Sequence, residues 1–307
     1  MKVAVFGAGG VGGYYGGRLA QAGEDVHLVA RGEHLEALRA NGLRVESVFG
    51  DFAVDLPATD DPSSIGPCDV VLFCVKAYDT ETAATSLDPL LRDDTAVVTL
   101  QNGVDNEDLL AAVVGREHVL GGVTQIFSTI GGPGLVQHTG GPARVVFGEL
   151  DGRRTPRGAP RPAASERAEG VEATLSTAVQ VPIWEKAAFI CAQSGMTAGV
   201  RLPLGDIRAA PAAWAMYRRL VAEVCAVAEA EGVDLPEDAV DRWVGFAGEL
   251  EADAYSSLHY DLTHDRPLEL EALHGSVVRR ADDHGVAVPM TEAIYAILEP
   301  WARRNAR

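Results

Sequence analysis

Lys2-Val-Ala-Val-Phe6 runs directly into Gly7-Ala8-Gly9-Gly10-Val11-Gly12, and Gln21-Ala-Gly23 leads on to Asp25-Val-His-Leu-Val-Ala30. A short apolar strand, a G-x-G-x-x-G turn and a second strand one helix later are the parts of a dinucleotide-binding βαβ unit. In this reading Gly7 permits the tight turn, Gly9 lets the backbone approach a pyrophosphate, and Gly12 lets the helix pack close to the strand. The helix N-terminus offers unpaired N–H groups and the positive end of its dipole to the phosphates. In a chain with 33 glycines the motif alone would carry little. The strands on both sides give it its weight.

An NAD-preferring site usually places Asp or Glu after the second strand, where it accepts from the ribose hydroxyls. Here Arg31 and Gly32 follow it, with Glu33 next. A guanidinium at this place can clasp a 2′-phosphate through two hydrogen bonds, which points to NADP(H). The bland alternative is a solvated arginine after a strand.

The bulk properties narrow the function classes. At 307 residues the chain has room for two domains and a sizeable core, and 47% hydrophobic with 23% charged residues is ordinary for a soluble globular protein. A net charge of −18 argues against nucleic acid or an anionic membrane as partner, since both need a positive footprint. No apolar run reaches the ~18 residues that span a bilayer. The first strand starts at Lys2, so no leader is expected ahead of it. Cys68, Cys74, Cys191 and Cys225 lack paired metal spacing and read as reduced core residues of a cytoplasmic protein.

To about residue 150, strand and helix alternate, as in a parallel sheet covered on both faces. Leu43–Ser47 and Phe52–Val54 read as a hairpin. Asp69–Val75, Thr95–Leu100, Val119–Ile130 and Arg144–Gly148 read as further strands, the last two joined by the turn-rich Gly131–Gly134. Gly152–Pro162 is basic, Pro/Gly-rich and unpatterned, and reads as a surface loop. From Trp184 the chain reads as helices over 184–200, 209–231, 236–250, 266–284 and 289–303. The expected fold is α/β: a Rossmann-type doubly wound sheet (1–178) followed by an all-α domain (179–307), with the cleft between them as the default site.

Three segments fall where such a fold places chemistry. Lys76 follows a buried strand in Val75-Lys-Ala77, and Asn102 follows another in Leu100-Gln-Asn-Gly103. Their plain alternatives are a snorkelling surface lysine and a turn residue. Lys186 stands in Trp184-Glu-Lys-Ala-Ala-Phe-Ile190, an otherwise apolar helix start, where partial desolvation would lower its pKa toward that of a useful proton donor. A helix ion pair with Glu185 is the alternative there. Ser256-Ser257 could cap the helix of Leu258, a role compatible with binding a carboxylate. Of Glu269 and Glu271, one must point outward. No H-E-x-x-H or similar set occurs, so no metal is inferred; His138 and His259 read as loop residues and Asp261 as structural.

Taken in order, G-A-G-G-V-G, V-K-A, Q-N-G, W-E-K, S-S-L-H-Y-D-L, Glu269 and H-G-V-A-V-P (284–289) resemble the ketopantoate reductase (2-dehydropantoate 2-reductase) family over nearly the whole chain. The resemblance implies NADPH-dependent reduction of a 2-keto acid to a 2-hydroxy acid. Lys186 would then be the general acid and Glu269 would bind a substrate hydroxyl and orient the site. Asn102 would bond the substrate near the nicotinamide, Ser257 would take the carboxylate end, and Lys76 would help hold cofactor and substrate. Where the family's best-known members carry two asparagines after the lysine, this chain has Ile190 and Ser194. Ser194 could still donate a hydrogen bond; Ile190 could not, which makes the pocket more apolar.

Ketopantoate is therefore the first substrate expected. A related hydroxyacid or opine-type dehydrogenase acting on a more apolar 2-keto acid is the alternative, and a non-catalytic NADP(H)-binding regulator is a third reading. The helical domain is where a homodimer interface would form.

Overall fold

The computed structural model describes residues 1–152 and 170–306. All of the stretch read as a surface loop except Gly152 lies outside them. Contacts divide the chain into two compact units, Met1–Gln101 with Asn106–Val179, and Asn102–Asp105 with Gln180–Arg307.

In the first unit, β1 (Lys2–Phe6) places Val3 and Val5 in the core on one sheet face and Ala4 and Phe6 in that on the other. Such a strand reads as continuously apolar because both its faces are buried. Helix α1 (Gly10–Gln21) holds five glycines in twelve residues, each costing roughly 1 kcal/mol of intrinsic helix propensity relative to alanine. Tertiary packing overrides that: Cβ atoms at Gly12, Gly13, Gly16 and Gly17 would press on Val5, Val136, Val5 again and Phe52. Next come β2 (Asp25–Val29), α2 (Gly32–Asn41), β3 (Leu43–Ser47), β4 (Phe52–Val54), β5 (Ala58–Thr59), β6 (Val70–Phe73), α3 (Thr80–Ala84), β7 (Ala96–Thr99) and α4 (Asn106–Val114). β8 (Val119–Gly132), β9 (Leu135–Glu149) and β10 (Glu172–Leu175) complete the unit.

Among the described residues the strand order is β4-β3-β9-β8-β7-β6-β1-β2-β5, with β10 also on β9. The doubly wound core β7-β6-β1-β2 is parallel, but the whole sheet is mixed, which corrects the expectation of a parallel one. β8 and β9 form a long antiparallel hairpin, and β9 then pairs in parallel with β3. β9 begins nine residues before the predicted Arg144. Gly140-Gly-Pro142 looks like a turn in sequence but accommodates an irregularity in the ladder opposite Gln125–Phe127. His138, expected in a loop, is therefore a buried strand residue, accepting from Ser47 Oγ at Nδ1 and donating to Gly140 O from Nε2, both at 2.9 Å.

The second unit is helical: α5 (Gln180–Val200), α6 (Leu204–Ala209), α7 (Pro211–Ala230), α8 (Ala239–Glu249), α9 (Ser257–Thr263), α10 (Ser276–His284) and α11 (Pro289–Asn305). The helix predicted over 209–231 starts instead at Pro211, whose missing N–H suits a first helical position. The one predicted over 266–284 opens with a π turn, Glu271–Gly275, before α10. His274 in that turn is wholly buried and donates from Nε2 to Cys191 O of α5 at 2.9 Å. His259, also expected in a loop, lies on α9 and stacks on Tyr255.

Candidate active site

The glycine turn has a different constraint at each position. Gly7 adopts φ +100°, which L side chains rarely tolerate, and its N–H and that of Ala8 both donate to Val29 O at 3.1 Å. A Cβ at Gly12 would strike Gly7 O and Val5 Cγ1, so the helix can lie on the strand only with glycine there. At Gly9 nothing lies within 4 Å of the Cβ position. The chain thus keeps open space at the N-terminus of α1, whose first turn carries no acidic residue. Unpaired N–H groups, a positive dipole end and room for close approach fit a dinucleotide phosphate.

Arg31 caps α2 in extended conformation (φ −136°), and its exposed guanidinium lies 3.4 Å from Asp79 Oδ2. Asp79 closes the 3₁₀ turn Ala77–Asp79 that the exposed Lys76 caps. Beside it, buried Gln101 joins two strand ends. Its amide donates to Val75 O at 3.0 Å and Thr80 Oγ1 at 2.8 Å, and its carbonyl accepts from Thr99 Oγ1 at 3.0 Å. Sequence reasoning quoted Gln101 only as part of the Q-N-G turn and missed Asp79. For Asp79 a local signal existed: an acid one short turn beyond Lys76.

The segment Asn102–Asp105 belongs to the helical unit. Gly103, at φ +111°, lies so close to Ala272 of the π turn that a Cβ would meet the Ala272 carbonyl. Asp105 accepts from Arg280 Nε at 2.7 Å and Arg279 Nη2 at 3.0 Å, and Arg280 also reaches Val104 O at 3.2 Å. Half-buried Asn102 is therefore held near the turn that follows Glu269.

On α5, Lys186 keeps some surface exposure but is crowded enough that lost hydration pulls its pKa down to about 8, against the opposing pull of Glu269. Glu185, the bland partner for this lysine, instead pairs with Arg242 of α8. Glu269 is 7% exposed and turned inward, whereas Glu271 points out to Arg279 and Tyr295. Ile190, one turn after Lys186, is partly exposed. Ser194 does not present the donor expected of it. It is 1% exposed and gives its proton to Ile190 O at 2.6 Å, because a short hydroxyl in a helix reaches the carbonyl four residues back most easily. Of the serine pair, Ser256 is the cap, accepting from His259 N at 3.0 Å and bonding Thr197 Oγ1 at 2.8 Å. Ser257 is exposed in the first turn of α9. Asp261 is buried beneath it.

The helical unit therefore holds an ammonium that burial makes more acidic, with an inward carboxylate acting on it, and the sheet unit a glycine turn with room for a phosphate. That pairing of parts has close parallels. Residues 3–152 match the family described as ketopantoate reductase PanE/ApbA, and residues 178–301 match its C-terminal counterpart. The chain is 36% identical to a 2-dehydropantoate 2-reductase of Halobacterium salinarum, covering 96% of each protein. It is 33% identical to the uncharacterized oxidoreductase YkpB of Bacillus subtilis, covering 98% of this chain and 99% of that one. The crystal structure of a PanE/ApbA family ketopantoate reductase from Ralstonia eutropha superposes with a TM-score of 0.91 at 36% identity, over 100% of both chains. By turn, helices and full-length likeness, this chain belongs to the ketopantoate reductase family of nicotinamide-dinucleotide-dependent oxidoreductases.

Proposed function

We propose that the protein is a cytoplasmic NADPH-dependent reductase of 2-keto acids, with ketopantoate as its substrate and pantoate as its product. The sheet unit would hold the dinucleotide at Gly7, Gly9 and Gly12, with Arg31 on the 2′-phosphate and Lys76 and Asn102 near the rest of the cofactor. The helical unit would supply the acid and the keto-acid contacts. Bound NADPH supplies the hydride that reduces the ketone carbon.

Lys186 carries this reading. As the ketone gains a hydride its oxygen becomes an alkoxide, which needs a proton and a nearby positive charge. An ammonium with a pKa of about 8 is largely protonated at neutral pH and yet gives its proton up readily. Glu269 opposes the cost of burying that charge and would accept from a substrate hydroxyl. Asn102 would donate to the substrate, and Ser257, at a helix N-terminus, would bind the carboxylate. The test is NADPH oxidation by purified protein with and without ketopantoate, beside Lys186→Ala. Turnover that needs both ketopantoate and Lys186 supports the reading; no stimulation by ketopantoate overturns it.

One observation favours a second reading. Ile190 offers no hydrogen bond, and Ser194 spends its proton on the helix. A substrate site near these residues would suit a 2-keto acid with an apolar side chain and no hydroxyl. A panel of branched and aromatic 2-keto acids reduced with a higher kcat/KM than ketopantoate would select it.

A further inference from the structure

The β8–β9 hairpin holds the glycine turn at two points. At the first, Ser128 Oγ donates to Gly10 O at 2.8 Å, and a Cβ on Gly10 would lie 2.5 Å from Ser128 O, so the two backbones touch. The second passes through His34 of α2. Gly134 N–H, at the hairpin tip, donates to His34 Nδ1 at 3.1 Å. A backbone amide can only donate, so Nδ1 is the bare nitrogen and the proton of the neutral ring sits on Nε2. Nε2 then donates to Ala8 O at 2.8 Å. Ala8 stands between Gly7 and Gly9.

We propose that His34 is a positioning residue for the dinucleotide, aiming the backbone of the glycine turn at the phosphate. The Ala8–Gly9 peptide is trans and planar, so its C=O and N–H point in opposite directions. With the carbonyl fixed on His34, Gly9 N–H is directed away from His34, beside the open space at Gly9. Without that bond the peptide is free to rotate, and part of the donor set must be ordered again each time a dinucleotide binds. The inference rests on the reading that this turn holds a dinucleotide phosphate.

The experiment compares His34→Gln, His34→Asn and His34→Leu by calorimetric titration with NADPH, alongside steady-state kinetics. A glutamine amide reaches the Nε2 position and keeps the bond to Ala8 O. An asparagine reaches only the Nδ1 position and keeps only the hairpin bond, and leucine keeps neither. H34Q should bind NADPH within about twofold of wild type, while H34N and H34L should lose about tenfold. The loss should fall on the cofactor Kd and KM, with kcat at saturating cofactor little changed. H34N binding as tightly as wild type, H34Q as weak as H34L, or a loss falling on kcat would each overturn the proposal. Should H34L fail to fold, the two polar variants decide alone. Wild-type protein that binds neither NADPH nor NADH removes the phosphate-turn reading and this proposal together; normal wild-type binding with unaffected variants removes only this one.

Discussion

Arg31 and Asp79 form an ion pair at 3.4 Å, bringing the N-cap of α2 against the turn after β6. Both side chains are largely exposed, at 72% and 43%, so the pair itself is weakly stabilising and screened by salt. On the proposed NADPH reading the pair would act by competition, since a 2′-phosphate would have to share or displace Asp79. Asp79→Asn should tighten NADPH about two- to fivefold at low salt, leave NADH unchanged, and lose its effect as salt rises. Arg31→Ala should weaken NADPH far more than NADH. Titration of each variant with both dinucleotides checks this, and equal losses in R31A would refute the role given to Arg31.

The pH profile should report Lys186. With Lys186 as the proposed acid, reduction would need the ammonium form, so kcat should fall as pH rises through about 8. The charge of Glu269 raises this pKa, and removing it favours the neutral amine. In Glu269→Gln the alkaline limb should therefore shift to lower pH, in addition to any loss of substrate affinity. A limb that stays in place in E269Q would show that Glu269 does not set the acid.

Two glycine substitutions should part company. Gly9→Ala meets no atom of the protein, so its melting temperature should hold while dinucleotide affinity falls about tenfold or more. Gly12→Ala drives a methyl into Gly7 O and Val5, an overpacking that typically costs about 1–3 kcal/mol. It should lower the melting temperature by several degrees. Thermal melts with and without NADPH separate the two effects.

His274 should make the protein sensitive to acid. Burial lowers its pKa from 6.5 to about 4, so as pH falls the unfolded chain takes up this proton well before the folded one does. Its contribution is intact above pH 6.5 and is lost progressively down to about pH 4, amounting to about 3 kcal/mol at full extent. Urea unfolding at neutral and mildly acid pH should show a smaller loss in His274→Gln than in wild type. An identical slope in the variant would rule this histidine out as the cause.

The β1–turn–α1–β2 unit was legible because its signals are local: an apolar strand, glycines at fixed spacing, a second strand. Lys186 stood out as a polar residue among apolar ones, and Glu269 came from the family resemblance. What escaped depends on distant partners. The first half of β9 pairs with β3, and Gly140-Gly-Pro142 disguises its continuity as a turn. The role of His34 requires Gly134, one hundred residues away. The π turn at 271–275 adds one residue to a helical pattern whose apolar periodicity passes over it. Ser194 misled for a simpler reason: a hydroxyl in sequence does not reveal that its own helix has taken the proton.

The parallel pairing of β3 with β9 also sets an order of assembly during translation. Ser47 and His138, hydrogen-bonded in the folded protein, are 91 residues apart. At ribosomal speeds of about 5–20 residues per second, the β3–β4 hairpin emerges roughly 5–20 s before the strand that covers its inner edge. Through that interval it presents unpaired amides to any strand nearby, including the same segment on a neighbouring nascent chain. A half-made chain is therefore open to aggregation through this edge, and soluble expression yield should fall when synthesis between residues 47 and 138 is slowed.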